Sequence, residues 1–235
     1  MAKEGSSLAG KNIWNIRGRT LLNWLIDDAR KSSLVNKVFV STNGKETAQI
    51  AERANVELII RSDDLAKNEN FPQAVDHAIN YIKQKYDDLQ IITISQCVVP
   101  FRAPDIFDRC ISFLLKNKNY DSVVTIRKTA DIPETIMKEE NGYLMPYFSE
   151  HHAKSFLSRQ DSQAYGIDHV IECFRYSSWL NREKGIKPWS YLGRKIKGIE
   201  QDYHNPNCFV DVHTLDDIRW LEFLVDNIGF EGMKK

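Results

Sequence analysis

Lys3 and Lys11 bracket a short loop that carries Gly5, Ser6, Ser7 and Gly10, and Asn12 follows the second lysine. Residues this small let consecutive backbone N–H groups turn to one side and form a concave nest for an oxyanion. The two ammonium groups would neutralise its charge, so the chemistry such a loop serves is the grip of a phosphate chain. Small polar residues near a chain end otherwise form a flexible tail. The remainder of the chain decides between the two.

Elements that position such a loop are legible further on. Apolar runs rich in β-branched residues alternate with helical patterns, which predicts strands over 37–42, 56–60, 90–94, 122–127, 170–174 and 208–212. Helices are expected over 21–30, 46–54, 71–86, 104–116 and 215–227, the last capped by Thr214 with Asp216 and Asp217 in its first turn. This rhythm predicts an α/β fold, a mostly parallel sheet sandwiched by helices. Ligands of such sheets lie beyond the carboxyl ends of the strands, which points to Ser41 to Asn43 and to Ser95 to Arg102. Asn141-Gly142 marks a hairpin turn inside a looser stretch, residues 130–165, read as a small inserted lobe of one domain spanning 1–235.

Composition narrows the class. The 235 residues are 42% hydrophobic and 27% charged, with 32 basic and 32 acidic side chains, so no basic surplus speaks for nucleic acid. Cys97, Cys110, Cys173 and Cys208 are widely spaced, which fits reduced thiols in a cytoplasmic protein better than a disulfide framework or a zinc site. No signal peptide and no long apolar run is apparent, so neither secretion nor membrane insertion is expected.

Five blocks, taken in order, resemble the cytidylyltransferases that activate ulosonic acids, the CMP-sialic acid and CMP-KDO synthetase group. They are Ala2 to Asn12; Val38 to Thr42 followed by Arg61 to Ala66; Ser95 to Arg102; Ser158-Arg159-Gln160-Asp161 with Tyr165; and Val210 to Asp217. The resemblance implies a nucleotide-diphosphosugar transferase-like fold and transfer of CMP from CTP to a sialic-acid-like or other ulosonic acid, with release of pyrophosphate. Lys3 and Lys11 would hold the phosphates. Ala2, Gly5, Ser6, Ser7, Gly10, Asn12 and Ser41 would line the nucleotide site, and Gln96, Arg159 and Gln160 the sugar acid. It further implies a homodimer built through the inserted lobe, with the aromatic-rich stretch 148–156 at the interface.

The chemistry asks for charge neutralisation at the phosphates, which suits Mg2+ or another divalent cation such as Mn2+. Asp211 is the candidate carboxylate ligand, unless it serves only as a capping residue ahead of the last helix. His213 stands where the resemblance implies a second metal-binding Asp. It is a metal ligand, a hydrogen-bond donor to phosphate, or a strand-end imidazole without a ligand. Arg159 is either a fork to the substrate carboxylate or part of a surface ion pair. Arg102 is expected to tie its loop to the next helix, and Cys97 to be a small packed residue. The alternative function is a divergent, non-catalytic nucleotide or sugar-nucleotide binding protein on the same fold.

Overall fold

A computed structural model of the chain describes residues 1–3, 8–129, 133–148, 164–201 and 209–227. They fall into two compact units, Met1–Thr125 with His169–Lys235, and Ile126–Asp168. Among the described residues no helix is long and apolar enough to cross a membrane.

In the larger unit a short hairpin comes first, β1 (Asn15–Ile16) and β2 (Arg19–Thr20). It turns through Arg17 and Gly18, both at positive φ, where Gly18 N donates to Asn15 Oδ1 at 2.8 Å. The helix α1 (Leu21–Lys31) follows at once, because Thr20 Oγ1 accepts from Asn23 N and caps it. Its apolar residues Leu21, Leu22, Leu25, Ile26 and Ala29 fall on one buried face. Next come β3 (Phe39–Thr42), α2 (Lys45–Arg53) and β4 (Glu57–Ile60), a β-α-β unit with β3 and β4 parallel and Val40 opposite Leu58.

Proline in the first turn starts α3 (Phe71–Lys85), which buries Ala74, Val75, Ala78 and Ile79. The strand β5 (Ile91–Ile94) leads through a loop to α4 (Ile106–Lys116), then to β6 (Ser122–Lys128). Later in the chain come β9 (Tyr165–Arg175), which begins in the smaller unit, α5 (Tyr176–Leu180), β10 (Ile196–Glu200) and α6 (Leu215–Asn227). Arg175 ends β9 by donating to the carbonyls of Leu114 in the last turn of α4 and of Asn117 and Tyr120 just beyond it. The smaller unit carries the hairpin β7 (Met137–Glu140) and β8 (Tyr143–Pro146), turned by Asn141 and Gly142 at φ 54 and 82.

Helices flank the sheet as expected, and the sheet itself departs from the expected plan in three ways. It stands in two pieces, β3-β4 and β10-β6-β9-β5. Antiparallel pairing joins β5 to β9, with Ile94 opposite Glu172; β9 follows an inserted segment rather than a crossover helix, so nothing forces it parallel. The expected last strand forms no ladder over its described part, 209–212. There Val210 and Val212 are core residues, and Val212 N bonds the Val98 carbonyl at 3.0 Å.

The approach to β10 is held by Asp121, whose Oδ2 accepts from the amides of Arg194 and Lys195 at 2.8 Å each. Gly193 lies against the same carboxylate at φ +78, where an added Cβ would come within 2.5 Å of the Asp121 Cβ. Gly193→Ala is therefore expected to cost about 2 kcal/mol or more, through both the left-handed backbone and the clash. Thermal unfolding of the variant measures it; an unchanged midpoint would refute the account.

Candidate active site

A cavity of about 320 Å³ opens beside the ends of β4 and β5 in the larger unit. Its walls include Lys3, Lys11, Asn12, Arg61, Gln96, His169, Glu172, Trp189 and His213. These positions are scattered through the sequence, and the fold gathers them at the carboxyl ends of the strands.

Gly10, at φ +70, turns the chain into the 3-10 segment Lys11–Ile13 and so directs Lys11 inward. Lys11 is only 7% exposed. Its Nζ donates to the Val212 carbonyl at 2.7 Å and lies 3.5 Å from His213 Nδ1. Burial holds this ammonium below the ordinary lysine value, while the Asp211 carboxylate works in the other direction. Asn12 closes the loop that the two lysines bracket: its Nδ2 donates to the Lys3 carbonyl at 2.6 Å, and its Oδ1 accepts from Cys97 Sγ at 3.1 Å. Lys3 and Lys11 therefore face one cavity with their loop pinned at both ends. Gly5, Ser6 and Ser7 lie outside the described residues, as do Arg159, Gln160 and most of 148–156.

The other expected residues fall in distinct places. Ala2 is buried and its amide donates to the Ser41 carbonyl at 3.0 Å. That bond sets Ser41 beneath the N-terminal residues, on a neighbouring cavity rather than this one. Gln96 lines the site. Cys97 is buried, and burial pushes its thiol up, so it packs and does not act as a nucleophile. Arg102 is buried too, but it ties its loop backward to α1 and not to the next helix: Nε pairs with Asp28 at 3.0 Å and Nη1 donates to the Val99 carbonyl at 2.6 Å.

Asp211 and His213 stand together, Oδ2 to Nε2 at 3.0 Å. The other carboxylate oxygen, Oδ1, is buried and has no hydrogen-bond partner among the described residues. An orphaned carboxylate oxygen beside an imidazole is a donor set that fits a divalent cation shared with phosphate oxygens, although no cluster of three or more His, Cys, Asp or Glu side chains forms among the described residues. The segment is braced from α6, whose Asp217 Oδ2 accepts from His213 N, Thr214 N and Thr214 Oγ1 at 2.7–2.9 Å. Thr214 Oγ1 in turn caps the helix by accepting from Asp217 N at 3.2 Å.

Four wall residues were not singled out as site residues from the sequence. Arg61 follows β4 directly, with its amide on the Thr42 carbonyl at 3.0 Å; its guanidinium is buried, and Nε lacks a partner among the described residues. An arginine immediately after an apolar strand was the signal for it. His169, Glu172 and Trp189 had none, because they form a unit only in three dimensions. The buried Glu172 carboxylate binds His169 Nδ1 at 2.8 Å and the Tyr191 hydroxyl, and Trp189 meets the His169 ring edge-on. Burial, and then the Glu172 charge, push the Tyr191 hydroxyl far above its ordinary value, so it remains a donor.

Comparison with known proteins follows the same lines. The family described as cytidylyltransferase matches residues 4–174. A 3-deoxy-manno-octulosonate cytidylyltransferase of Bdellovibrio bacteriovorus is 34% identical over 65 residues, 27% of this chain and 26% of that protein. An N-acylneuraminate cytidylyltransferase of Escherichia coli O18:K1:H7 is 26% identical over 145 residues, 60% of this chain and 33% of that protein. The chain thus spans a third or less of the curated relatives it matches. Among solved structures, a CMP:2-keto-3-deoxy-manno-octonic acid synthetase complexed with CTP superposes with a TM-score of 0.66 at 16% identity, over 96% of this chain and 95% of that one. A 4-diphosphocytidyl-2C-methyl-D-erythritol synthase gives 0.67 at 11% identity, over 95% and 97%. At these identities the structural likeness concerns the fold.

Asp217 supplies a test of how the site is braced. Burial alone would raise its pKa, but the hydrogen bonds from His213 and Thr214 outweigh it and hold the carboxyl below the usual range. A depressed folded value means the contribution is present above the unfolded pKa, near about 4, and is lost as pH falls through the folded value. Asp217→Ala should cost about 1 kcal/mol at neutral pH, with the difference from wild type vanishing in acid. Urea titrations at a series of pH values read this directly, and a gap that persists in acid would contradict it.

Proposed function

Because the chain belongs to the cytidylyltransferase family, we propose that it transfers CMP from CTP to an ulosonic acid, with the cavity around Lys3, Lys11 and Arg61 as the place of reaction. The observation that carries this reading is the convergence of these three cations on one pocket, Lys11 and Arg61 being buried. Buried cations in a low-dielectric cavity invite a polyanion, since a bound phosphate chain supplies the charge they lack.

In the transfer, a hydroxyl oxygen of the acid forms a bond to the α-phosphorus while the bond from that phosphorus to the pyrophosphate oxygen breaks; the hydroxyl proton leaves to solvent or a nearby base. Lys3 and Lys11 neutralise the phosphates and hold them in line. Gln96 offers both a donor and an acceptor to sugar hydroxyls. A cation such as Mg2+ or Mn2+, when bound, supplies further neutralisation of the phosphate charge, and Asp211 Oδ1 with His213 are the groups available to hold it. The ulosonic class of acceptor is supported by the names of the two curated relatives. A 2-C-methylerythritol phosphate is the competing acceptor, suggested by the structural neighbours. A second reading, nucleotide binding without turnover, is favoured by one observation: His213 takes up the other Asp211 oxygen. We assign a cytoplasmic setting on the reduced thiols alone. Self-association as a homodimer is supported by the β7–β8 hairpin, where Tyr143 and Leu144 are 73% and 70% exposed; light scattering at graded concentration gives the mass that decides it.

Pyrophosphate release from CTP is the direct test, run with a panel of ulosonic acids and with 2-C-methylerythritol 4-phosphate under Mg2+ and Mn2+. Release with an ulosonic acid is expected; CTP binding with no release under any combination would replace the enzyme reading by the binding one. Calorimetry adds the role of Lys11. Lys11→Ala should weaken CTP binding by roughly 10- to 100-fold, equal to about 1.4–2.8 kcal/mol, and CMP binding by much less. Equal losses would remove Lys11 from the β- and γ-phosphates.

A further inference from the structure

In an extended strand successive side chains alternate between faces, so residues three apart, such as His169 and Glu172 of β9, belong on opposite sides. Here they meet: His169 Nδ1 and Glu172 Oε1 stand 2.8 Å apart. His169 has a φ of 58, in the left-handed region, and one such residue breaks the alternation and turns its ring toward the carboxylate. Backbone of this kind is uncommon outside glycine, and residues held in it cluster at functional sites.

The pair sits on the wall of the cavity that holds Lys3, Lys11, Arg61 and Gln96. Its two members are exposed very differently: the Glu172 side chain is 2% exposed and that of His169 29%. One carboxylate oxygen accepts from His169 Nδ1 and the other from the Tyr191 hydroxyl. A carboxylate only accepts, so Nδ1 carries the ring proton and the lone pair lies on Nε2. A buried carboxylate placed in this way orients an imidazole, fixes its tautomer and stabilises the imidazolium that forms when a proton arrives. Trp189 packs edge-on against the same ring.

We propose that His169 is the base of the transfer, with Glu172 as its positioning residue. The inference rests on the transferase reading and adds the destination of the proton. As the acceptor hydroxyl oxygen bonds to the α-phosphorus, its proton passes to Nε2 of His169, and the pyrophosphate oxygen leaves with the electron pair of the broken bond. Glu172 stabilises the imidazolium, which then gives its proton to water. The groups around the ring act in both directions. Lys3, Lys11, Arg61, Lys67 and the Met1 amine share the cavity wall and disfavour the imidazolium; Glu172 favours it, and the Tyr191 hydroxyl stays a neutral donor. A bound triphosphate offsets those cations, so the base gains strength once the nucleotide is in place. His213 is a second imidazole on that wall, and Asp168 precedes His169 in the chain.

Single-turnover release of pyrophosphate from CTP, with the acceptor that wild type uses best, tests this between about pH 5 and about pH 9. His169→Gly suits the left-handed backbone at that position and leaves room on the cavity wall for a free imidazole molecule. The variant should release pyrophosphate about 100-fold or more slowly, with CTP affinity by calorimetry within about twofold of wild type. Added imidazole should restore release in proportion to its neutral form. The wild-type rate should fall on the acid side as one group protonates, and that limb should be absent from the variant. Glu172→Gln removes the charge but keeps the shape, and should move the limb to lower pH by about one unit or more. A purely structural role for the pair gives neither the rescue nor the shift. The proposal is overturned if His169→Gly keeps the wild-type rate, if imidazole restores nothing, or if the acid limb survives in the variant and so belongs to another group such as His213. Wild type that releases no pyrophosphate removes the transferase reading together with this one; wild type that does, beside an unimpaired His169→Gly, removes this one alone.

Discussion

The buried ammonium of Lys11 is the constraint around which the site is organised. A charge taken out of water must find partners in the protein or in a ligand, and here the fixed partner is the Val212 carbonyl, 201 positions further along the chain. That single bond joins the N-terminal loop to the segment preceding α6, and it sets Asp211 and His213 beside the lysines. Everything else at the site follows from keeping those two segments in place: Asn12 closes the loop onto Lys3, and Asp217 braces His213 from the first turn of α6. The lysine is thus structural and available to phosphate at once, since one carbonyl satisfies only one of its three N–H donors.

The site also depends on the sheet that carries it. Parallel β3 and β4 deliver Arg61, β5 delivers Gln96, and β9 delivers Glu172 from the opposite direction. A buried carboxylate in the middle of an apolar strand is costly. It is tolerated because His169 and Tyr191 both reach it, which fixes the His169 ring on the cavity wall. The cations and this hydrogen-bonded acid line the same cavity, with Trp189 beside the His169 ring.

Local chemistry made much of the fold legible. Hydrophobic periodicity marked α1, α2, α3 and α4 to within one or two residues of their observed ends. Thr214 and the two acidic residues after it marked the start of α6, and Asn141-Gly142 marked the β7–β8 turn. Each of these signals lies within a few residues of the element it specifies. The direction of β9, the loss of a ladder over 209–212 and the division of the sheet were not legible, because strand pairing is decided by partners remote in sequence. Arg102 illustrates the same limit: a structural tie was foreseeable in type, but its choice of Asp28 in α1 depended on how that helix packs.

By itself, then, the sequence determined the α/β alternation, the caps and turns, and the two-lysine loop with its likeness to cytidylyltransferases, since these need only neighbouring side chains and backbone preferences. Tertiary structure alone decided that Lys3, Lys11, Arg61 and Gln96 share one cavity, that Ser41 lies outside it, and that one oxygen of Asp211 is left without a partner among the described residues. Those outcomes turn on distances between segments far apart in the chain, where packing and the cost of burying charge select the arrangement.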